Sequence, residues 1–338
     1  MRLVLAFLSI VAFPSIAGAA AGAATPSLQD ELAALARQSH ATVGIYVEHL
    51  EKQETAGVNA QRPFPMASTF KLPLALAVLS AVEKKVLAGL DDQVRLEPSD
   101  MRGWASDLHQ RFPKGGEVRL REVIASMLET SDNSAADALL RLAGGGARVT
   151  ATLRALGLDG IRVDRNEGEM ALDSHGLAHP PPSELTAERL HQILHAVTPE
   201  QHRQGLARLA ADPRDHASPA ALGRVVARLW REQLPLAKEH AAFVRQKMAR
   251  CQTGKRRLRA GLPRGMSGAV ADRTGTCDGA SEERPICAND IGLLTLPSGE
   301  HVVVAVMIED DGAPIGDKEK TMADVARAVW QSYVPEKR

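Results

Sequence analysis

The sequence predicts an α/β (α+β) fold: a five-stranded antiparallel sheet flanked by helices, joined to a mostly helical lobe. Strand-like patterning is confined to the two ends of the chain. Residues 42–50 (TVGIYVEHL) alternate as a strand does, and the Glu51-Lys52-Gln53 turn leads into a second short strand. Three more strand-like runs, 269–276, 291–296 and 301–308, come late in the chain. The long middle is helical in its periodicity. Helical patterns over 28–39 and 318–333 bracket the strands, so the simplest packing is one sheet covered by the terminal helices, with the middle as a second lobe.

Within that middle, residues 70–86 form an apolar helix with Ser68 at its first turn. Residues 120–128 and 134–142 follow as helices, and Gly144-Gly145-Gly146 breaks the run. Two more helices are expected over 185–196 and 201–210, the second announced by the capping box Thr198-Pro199-Glu200-Gln201. Ser218-Pro219 is an N-cap with proline at the first helical position, opening a helix to about residue 233.

The chain has 338 residues, with Lys+Arg and Asp+Glu both at 41. That balance gives no field for nucleic acid or an acidic membrane surface, so neither is an expected partner. Met1-Arg2, a mostly apolar stretch over 3–16 and a run of small residues to Ala24 read as a signal peptide over 1–24. The apolar stretch is too short and interrupted to span a membrane, and no later stretch is long enough. The expected mature protein is periplasmic or secreted, without membrane attachment, and a monomer by default. If residues 278–285 form a hairpin, Cys277 and Cys287 face each other and can bond, leaving Cys251 as a buried free thiol. His191 and His195 stand four apart on an expected helix; with no third ligand identifiable they read as a solvated face, and no metal or cofactor is expected.

Chemistry is concentrated in four short motifs in order: Ser68-Thr69-Phe70-Lys71, Ser131-Asp132-Asn133, Glu167 just after Arg165, and Arg273-Thr274-Gly275. A serine hydroxyl is a poor nucleophile at neutral pH and needs a base beside it. Lys71, one helical turn on, is on the same face as Ser68; neutral it can take a proton, charged it can stabilise an oxyanion. S-x-x-K alone is weak, but four motifs in order are hard to obtain by chance. Together they resemble the penicillin-recognising serine enzymes, most closely the class A β-lactamases, whose known signature they form.

The resemblance covers nearly all of the chain after residue 24 and implies an active site in the groove between two lobes, 25–65 with 250–338 and 66–249. It implies a small-molecule β-lactam substrate, Ser68 as nucleophile, Ser131 as proton relay to the β-lactam nitrogen, Asn133 touching substrate and lysine, and Glu167, on a loop, activating water to release the acyl-serine. Asp132 is read as structural. Arg273, always protonated, attracts the substrate carboxylate with Thr274 and Thr276, Gly275 allows close approach of substrate to the strand, and the Thr276 N–H is the second oxyanion donor. Arg257 is expected as a second arginine for the carboxylate and Trp104 as the opposite wall.

Four departures stand out. Arg165 and Asp215 fit the ion pair that closes the Glu167 loop, but the sequence between them is far longer than the family pattern, implying an inserted helical segment over about 174–212. Ala171 stands where the family has an asparagine helping to hold the water. Glu169 is a rival carboxylate to Glu167. Cys277 matches a cysteine of some carbapenem-hydrolysing members, but its partner position here is Ala67, so that bridge cannot form. The rival functions are a penicillin-binding DD-peptidase, which lacks the glutamate, and a non-hydrolytic β-lactam sensor or binding homologue.

Overall fold

The structure is a computed structural model and describes residues 26–87, 89–310 and 312–334. The expected signal peptide lies outside the described residues. Among the described residues the main sheet has five strands: β1 (Thr42–His49), β2 (Glu54–Val58), β3 (Val270–Thr276), β4 (Cys287–Thr295) and β5 (His301–Glu309). They lie in the order β2-β1-β5-β4-β3, every pair antiparallel. The groove is therefore met by an edge strand, β3.

Both faces of this sheet are buried, and β5 shows why the sequence reads HVVVAVMIE there. Val302, Val304, Val306 and Ile308 pack with Val43, Ile45 and Val47 against the helices Leu28–Gln38 and Ile315–Tyr333. Val303, Ala305 and Met307 point the other way, into a core that continues through the helical middle of the chain. A strand buried on both sides loses its polar alternation and becomes one apolar run.

The helix Pro219–Trp230 lies directly on that second face. Glycines make the approach possible. A Cβ on Gly44 of β1 would sit 2.4 Å from the Phe64 ring and 2.7 Å from Pro219 Cγ, and one on Gly223 would sit 2.3 Å from the Tyr46 ring. The helix stops at Trp230, earlier than the expected 233, because Glu232 turns into the left-handed region at φ 53°.

The other expected elements appear within a few residues of their expected bounds, including the inserted helices Ala187–His195 and Pro199–Ala210, the second with its Thr198–Gln201 capping box. β4 begins four residues before the expected 291. Its first half is Cys-Ala-Asn-Asp, whose polar members are wholly buried, so hydropathy passes over them. Periodicity also passed over the helices Gly146–Ala155 and Lys238–Ala249. Cys277 and Cys287 are bonded across the hairpin that joins β3 to β4, and Cys251 is a buried free thiol.

Overfilling the β1–helix contact tests this packing. Gly44→Ala has no backbone strain to relieve and places a methyl group against Phe64 and Pro219. It is expected to lower unfolding free energy by about 1–3 kcal/mol, read as a lower urea midpoint at unchanged slope.

Candidate active site

Ser68 lies in the 3-10 turn Ala67–Phe70, which runs into the helix Lys71–Glu83. Ala67 enters it in the left-handed region, φ 44°. The turn is held from outside: Asn289 Nδ2 of β4 donates to Pro65 O (2.8 Å) and Met66 O (3.0 Å), and Met66 N–H donates to Asp215 O (2.9 Å). Gly275 of β3 presses on it directly. A Cβ there would fall 2.7 Å from Met66 O and 3.0 Å from Ser68 N. In this geometry the glycine admits the nucleophile's own turn to the strand, beyond the approach of substrate expected for it.

Lys71 is fully buried, and its Nζ is shared by two segments. It donates to Ser131 O (2.8 Å), Ser131 Oγ (3.3 Å) and Asn133 Oδ1 (2.5 Å), and lies 2.9 Å from Glu167 Oε1. Burial pushes its pKa down; the Glu167 charge opposes this and the Arg273 charge adds to it. Ser131 takes a left-handed backbone, φ 67°, unusual for a serine, which turns both its carbonyl and its hydroxyl to Lys71. The same hydroxyl accepts a short hydrogen bond from Arg273 Nη2. Arg273 is itself fully buried.

Asp132 fits its structural reading. Its carboxylate accepts from Leu108 N–H (2.8 Å), Ala135 N–H (2.9 Å), Ser106 Oγ (2.8 Å) and Ser126 Oγ (3.1 Å). Those bonds hold the strained residue beside it.

Glu167 is expected on a loop; instead it opens the helix Glu167–Ser174. Asn166 is the N-cap, and Glu169 completes a capping box by accepting from Asn166 N–H at 2.9 Å. Glu169 is thereby occupied locally, and Glu167 is the carboxylate that reaches Lys71. Two residues that sequence reasoning missed fix this helix start. Asp137 accepts from Glu167 N–H (2.7 Å) and Gly168 N–H (3.4 Å) and is paired with Arg102 Nη2 at 2.5 Å, all buried. Burial raises the Asp137 carboxyl to about 6 against the pull of Arg102, and the Glu167 charge pushes in the same direction as burial. The available signal was a lone acid on the Ala/Leu face of the helix Asn133–Leu142.

On the β3 side, Cys277 N–H donates to Cys287 O of the neighbouring chain segment at 3.1 Å. The Thr276 N–H, one residue back on an extended strand, is therefore directed to the open edge. Arg257 is 5% exposed, and its guanidinium spans the strand: Nη1 donates to Gly275 O (2.9 Å) and Asn289 O (2.8 Å), Nη2 to Thr276 Oγ1 (2.6 Å). Thr276 Oγ1 accepts that bond, which leaves its own proton to donate. Thr274 Oγ1 is bonded to Thr253 Oγ1 at 2.6 Å. Trp104 lines the groove and packs on a small cluster of Leu172, Leu185 and Leu190.

One cavity of about 660 Å³ reaches Ser68, Ser131, Asn133, Glu167 and Thr276, with Lys71 and Arg273 buried behind its wall, and the wall includes Leu194 and Leu209 of the helices Ala187–His195 and Pro199–Ala210. The Arg165–Asp215 pair exists as expected, Nε to Oδ2 2.6 Å, and is enlarged: Arg165 Nη1 also meets Asp173 (2.7 Å) and Asp212 (3.1 Å). His191 and His195 are exposed, their rings 4.1 Å apart.

The comparisons agree with this geometry. The beta-lactamase enzyme family matches residues 27–333. The chain is 25% identical over 316 residues to beta-lactamase VEB-1 of Pseudomonas aeruginosa, covering 92% of each. It is 29% identical over 328 residues to the carbapenem-hydrolyzing beta-lactamase KPC of Klebsiella oxytoca, covering 97% of this chain and 94% of that one. The crystal structure of a beta-lactamase from Chitinophaga pinensis superposes with a TM-score of 0.73 at 27% identity, over 90% of this chain and 99% of that chain. With the family matched along almost the whole described chain and a serine–lysine–glutamate site at its centre, the chain belongs to the beta-lactamase enzyme family, as a class A serine β-lactamase.

Proposed function

We propose the following division of labour for β-lactam hydrolysis. Ser68 Oγ attacks the lactam carbonyl carbon, and the Ser68 and Thr276 N–H groups take up the negative charge on its oxygen. The Ser68 proton passes to Lys71, which passes a proton on to Ser131 as Ser131 gives its own to the ring nitrogen and the C–N bond breaks. Glu167 then removes a proton from water, whose oxygen adds to the acyl carbon; the ester C–O bond breaks and Ser68 recovers its proton. Arg273, Thr274 and Thr276 draw the substrate carboxylate, Asn133 contacts its amide, and Trp104 forms the facing wall.

The observation that carries this reading is the convergence on Lys71 Nζ of Ser131, Asn133 and Glu167. One nitrogen is in reach of both the group that must give a proton to the leaving nitrogen and the group that must take one from water. Burial, which lowers the Lys71 pKa, favours the neutral amine that can accept the Ser68 proton. Arg273 acts on Ser131 through the hydrogen bond it donates and through its charge, without giving up a proton. Arg257 acts through Thr276, whose hydroxyl it turns toward the groove.

The same reading makes 25–65 with 250–338 one lobe and 66–249 the other, the groove between them. It makes the protein a monomer exported to the periplasm or beyond; the Cys277–Cys287 disulfide is in keeping with an oxidising compartment. No helix among the described residues is long and apolar enough to cross a membrane.

Intact-mass spectrometry with excess benzylpenicillin, sampled from seconds to hours beside a product assay, tests the chemistry. The unmodified protein is expected to release product with at most a transient adduct. Ser68→Ala should form no adduct, and Glu167→Ala should hold the adduct with release slowed at least about 10²-fold. A lasting stoichiometric adduct on the unmodified protein would overturn hydrolysis in favour of a penicillin-binding role.

A second test concerns the support under Glu167. The folded Asp137 carboxyl, at about 6, sits above its ordinary value of 3.8, so its stabilising contribution is complete below pH 3.8 and is lost as pH rises through 6. Urea unfolding from pH 4 to 7 should show the wild type gaining stability relative to Asp137→Asn as pH falls. A difference between the two that stays flat across the range would show that Asp137 does not titrate there.

A further inference from the structure

Outside the catalytic groups, three side chains from distant parts of the chain meet at the rim of the same cavity. His175 caps the C-terminal end of the Glu167 helix, His202 is on the inserted helix Pro199–Ala210, and Asp278 follows Cys277 in the hairpin. The two imidazoles stack face to face, centroids 4.2 Å apart and planes 10° from parallel. One nitrogen of each ring and a carboxylate oxygen all lie within 4.8 Å of one another. His202 Nε2 is shielded from solvent with no hydrogen-bond partner among the described residues; the Asp278 carboxylate is 3.4 Å away.

We infer that His175, His202 and Asp278 form a binding site for a zinc-like divalent transition-metal ion that ties the inserted helix to the mouth of the active site. The donor set of two imidazoles and a carboxylate suits zinc, which accepts three protein ligands and a water. The surrounding bonds orient the donors as metal sites require. His175 Nδ1 is 2.8 Å from Ala171 O, a carbonyl that can only accept, so the proton is on Nδ1 and the lone pair on Nε2. Ser174 Oγ donates to Asp278 Oδ2 at 2.8 Å, and Gly279 N–H to Asp278 Oδ1 at 2.9 Å. The protein side of the site is also fixed in place. A Cβ on Gly205 would fall 2.3 Å from Ser174 O, so the inserted helix is pressed on the end of the Glu167 helix one turn beyond His202. The disulfide anchors the hairpin that carries Asp278. Tetrahedral zinc with ligand bonds of about 2.0–2.1 Å holds donors about 3.3 Å apart, so binding requires the two imidazoles to turn out of their stack and aim their in-plane lone pairs at one ion.

Ser174, His175 and Asp278 all line the cavity that Ser68 and Glu167 share. A bound ion would therefore join three of its walls: the end of the Glu167 helix, the inserted helix and the end of β3. The site does not depend on the proposed catalytic roles, because binding is read without turnover.

The test uses the full chain after export, stripped with chelator and titrated with zinc chloride by calorimetry, metal content and thermal unfolding. One zinc per chain is expected, and at about a hundredfold excess over Kd the unfolding midpoint should rise by about 5 °C. His202→Gln and Asp278→Asn should each weaken binding at least tenfold and remove the midpoint shift. The exposed pair His191 and His195 is the competing site, so His191→Gln with His195→Gln should leave both signals intact. If His202→Gln fails to fold, Asp278→Asn on its exposed loop carries the decision. No zinc uptake, uptake that survives Asp278→Asn, or uptake lost with the His191/His195 pair would each overturn the inference; two stacked imidazoles held by Asp278 without a metal would then remain.

Discussion

Lys71 carries its amine to a position with no solvent contact, and a charge there is tolerable only if protein groups replace the water it has lost. The replacements come from two separate segments: the turn that leads into the helix Asn133–Leu142, with the first residue of that helix, and the first residue of the helix Glu167–Ser174. Each must arrive with its oxygen aimed at one point. Much of the surrounding structure can be understood as the means of bringing them there and keeping them from relaxing away.

Two kinds of anchor do this. Strained backbone is held by buried side chains: Asp132 beside Ser131, and Asn289 Nδ2 under the residues leading to Ser68. Helix starts are held by carboxylates: Asp137 under Glu167, and Asp215, whose Oδ1 accepts from the backbone of Asp164 and Arg165 while its Oδ2 meets the Arg165 guanidinium. The two systems are linked, because Asp215 O also accepts from Met66 N–H two residues before the nucleophile. A disturbance of the loop closure would therefore be felt at Ser68 as well as at Glu167.

The sequence was most legible where local rules act alone. β1 and β5, the terminal helices and the capping box at Thr198 depend on periodicity or on neighbours within four residues, and all appear within a few residues of their expected bounds. Ser68, Lys71 and the Ser131-Asp132-Asn133 turn were legible as motifs because their spacing is local. What escaped reading depends on distant partners. The first half of β4 hid behind Asn289 and Asp290, polar residues whose burial makes sense only beside Met66 and Arg257. Asp137 is an unremarkable acid until Glu167 N–H and Arg102 are set against it. Family spacing favoured Glu167 over Glu169 in the sequence, but what occupies Glu169, the capping box with Asn166, was visible only in the fold. The pairing of His175 with His202 needed the helix Pro199–Ala210 to be folded back on the end of the helix Glu167–Ser174.

That insertion bears on how the groove is built. Arg165 needs one carboxylate to close the loop; here it meets three, and Asp212 and Asp173 are also bridged by Arg214. Asp212 is held down to about 2, chiefly by its bonds to Arg214, so it stays ionised far below neutrality. The helices Ala187–His195 and Pro199–Ala210 thus join the rest of the chain through a charged knot of Arg165, Asp173, Asp212, Arg214 and Asp215. Leu194 and Leu209 reach the cavity from a base that is itself fixed, so these helices shape the wall of the groove while Glu167 keeps its seat on Asp137 and Lys71.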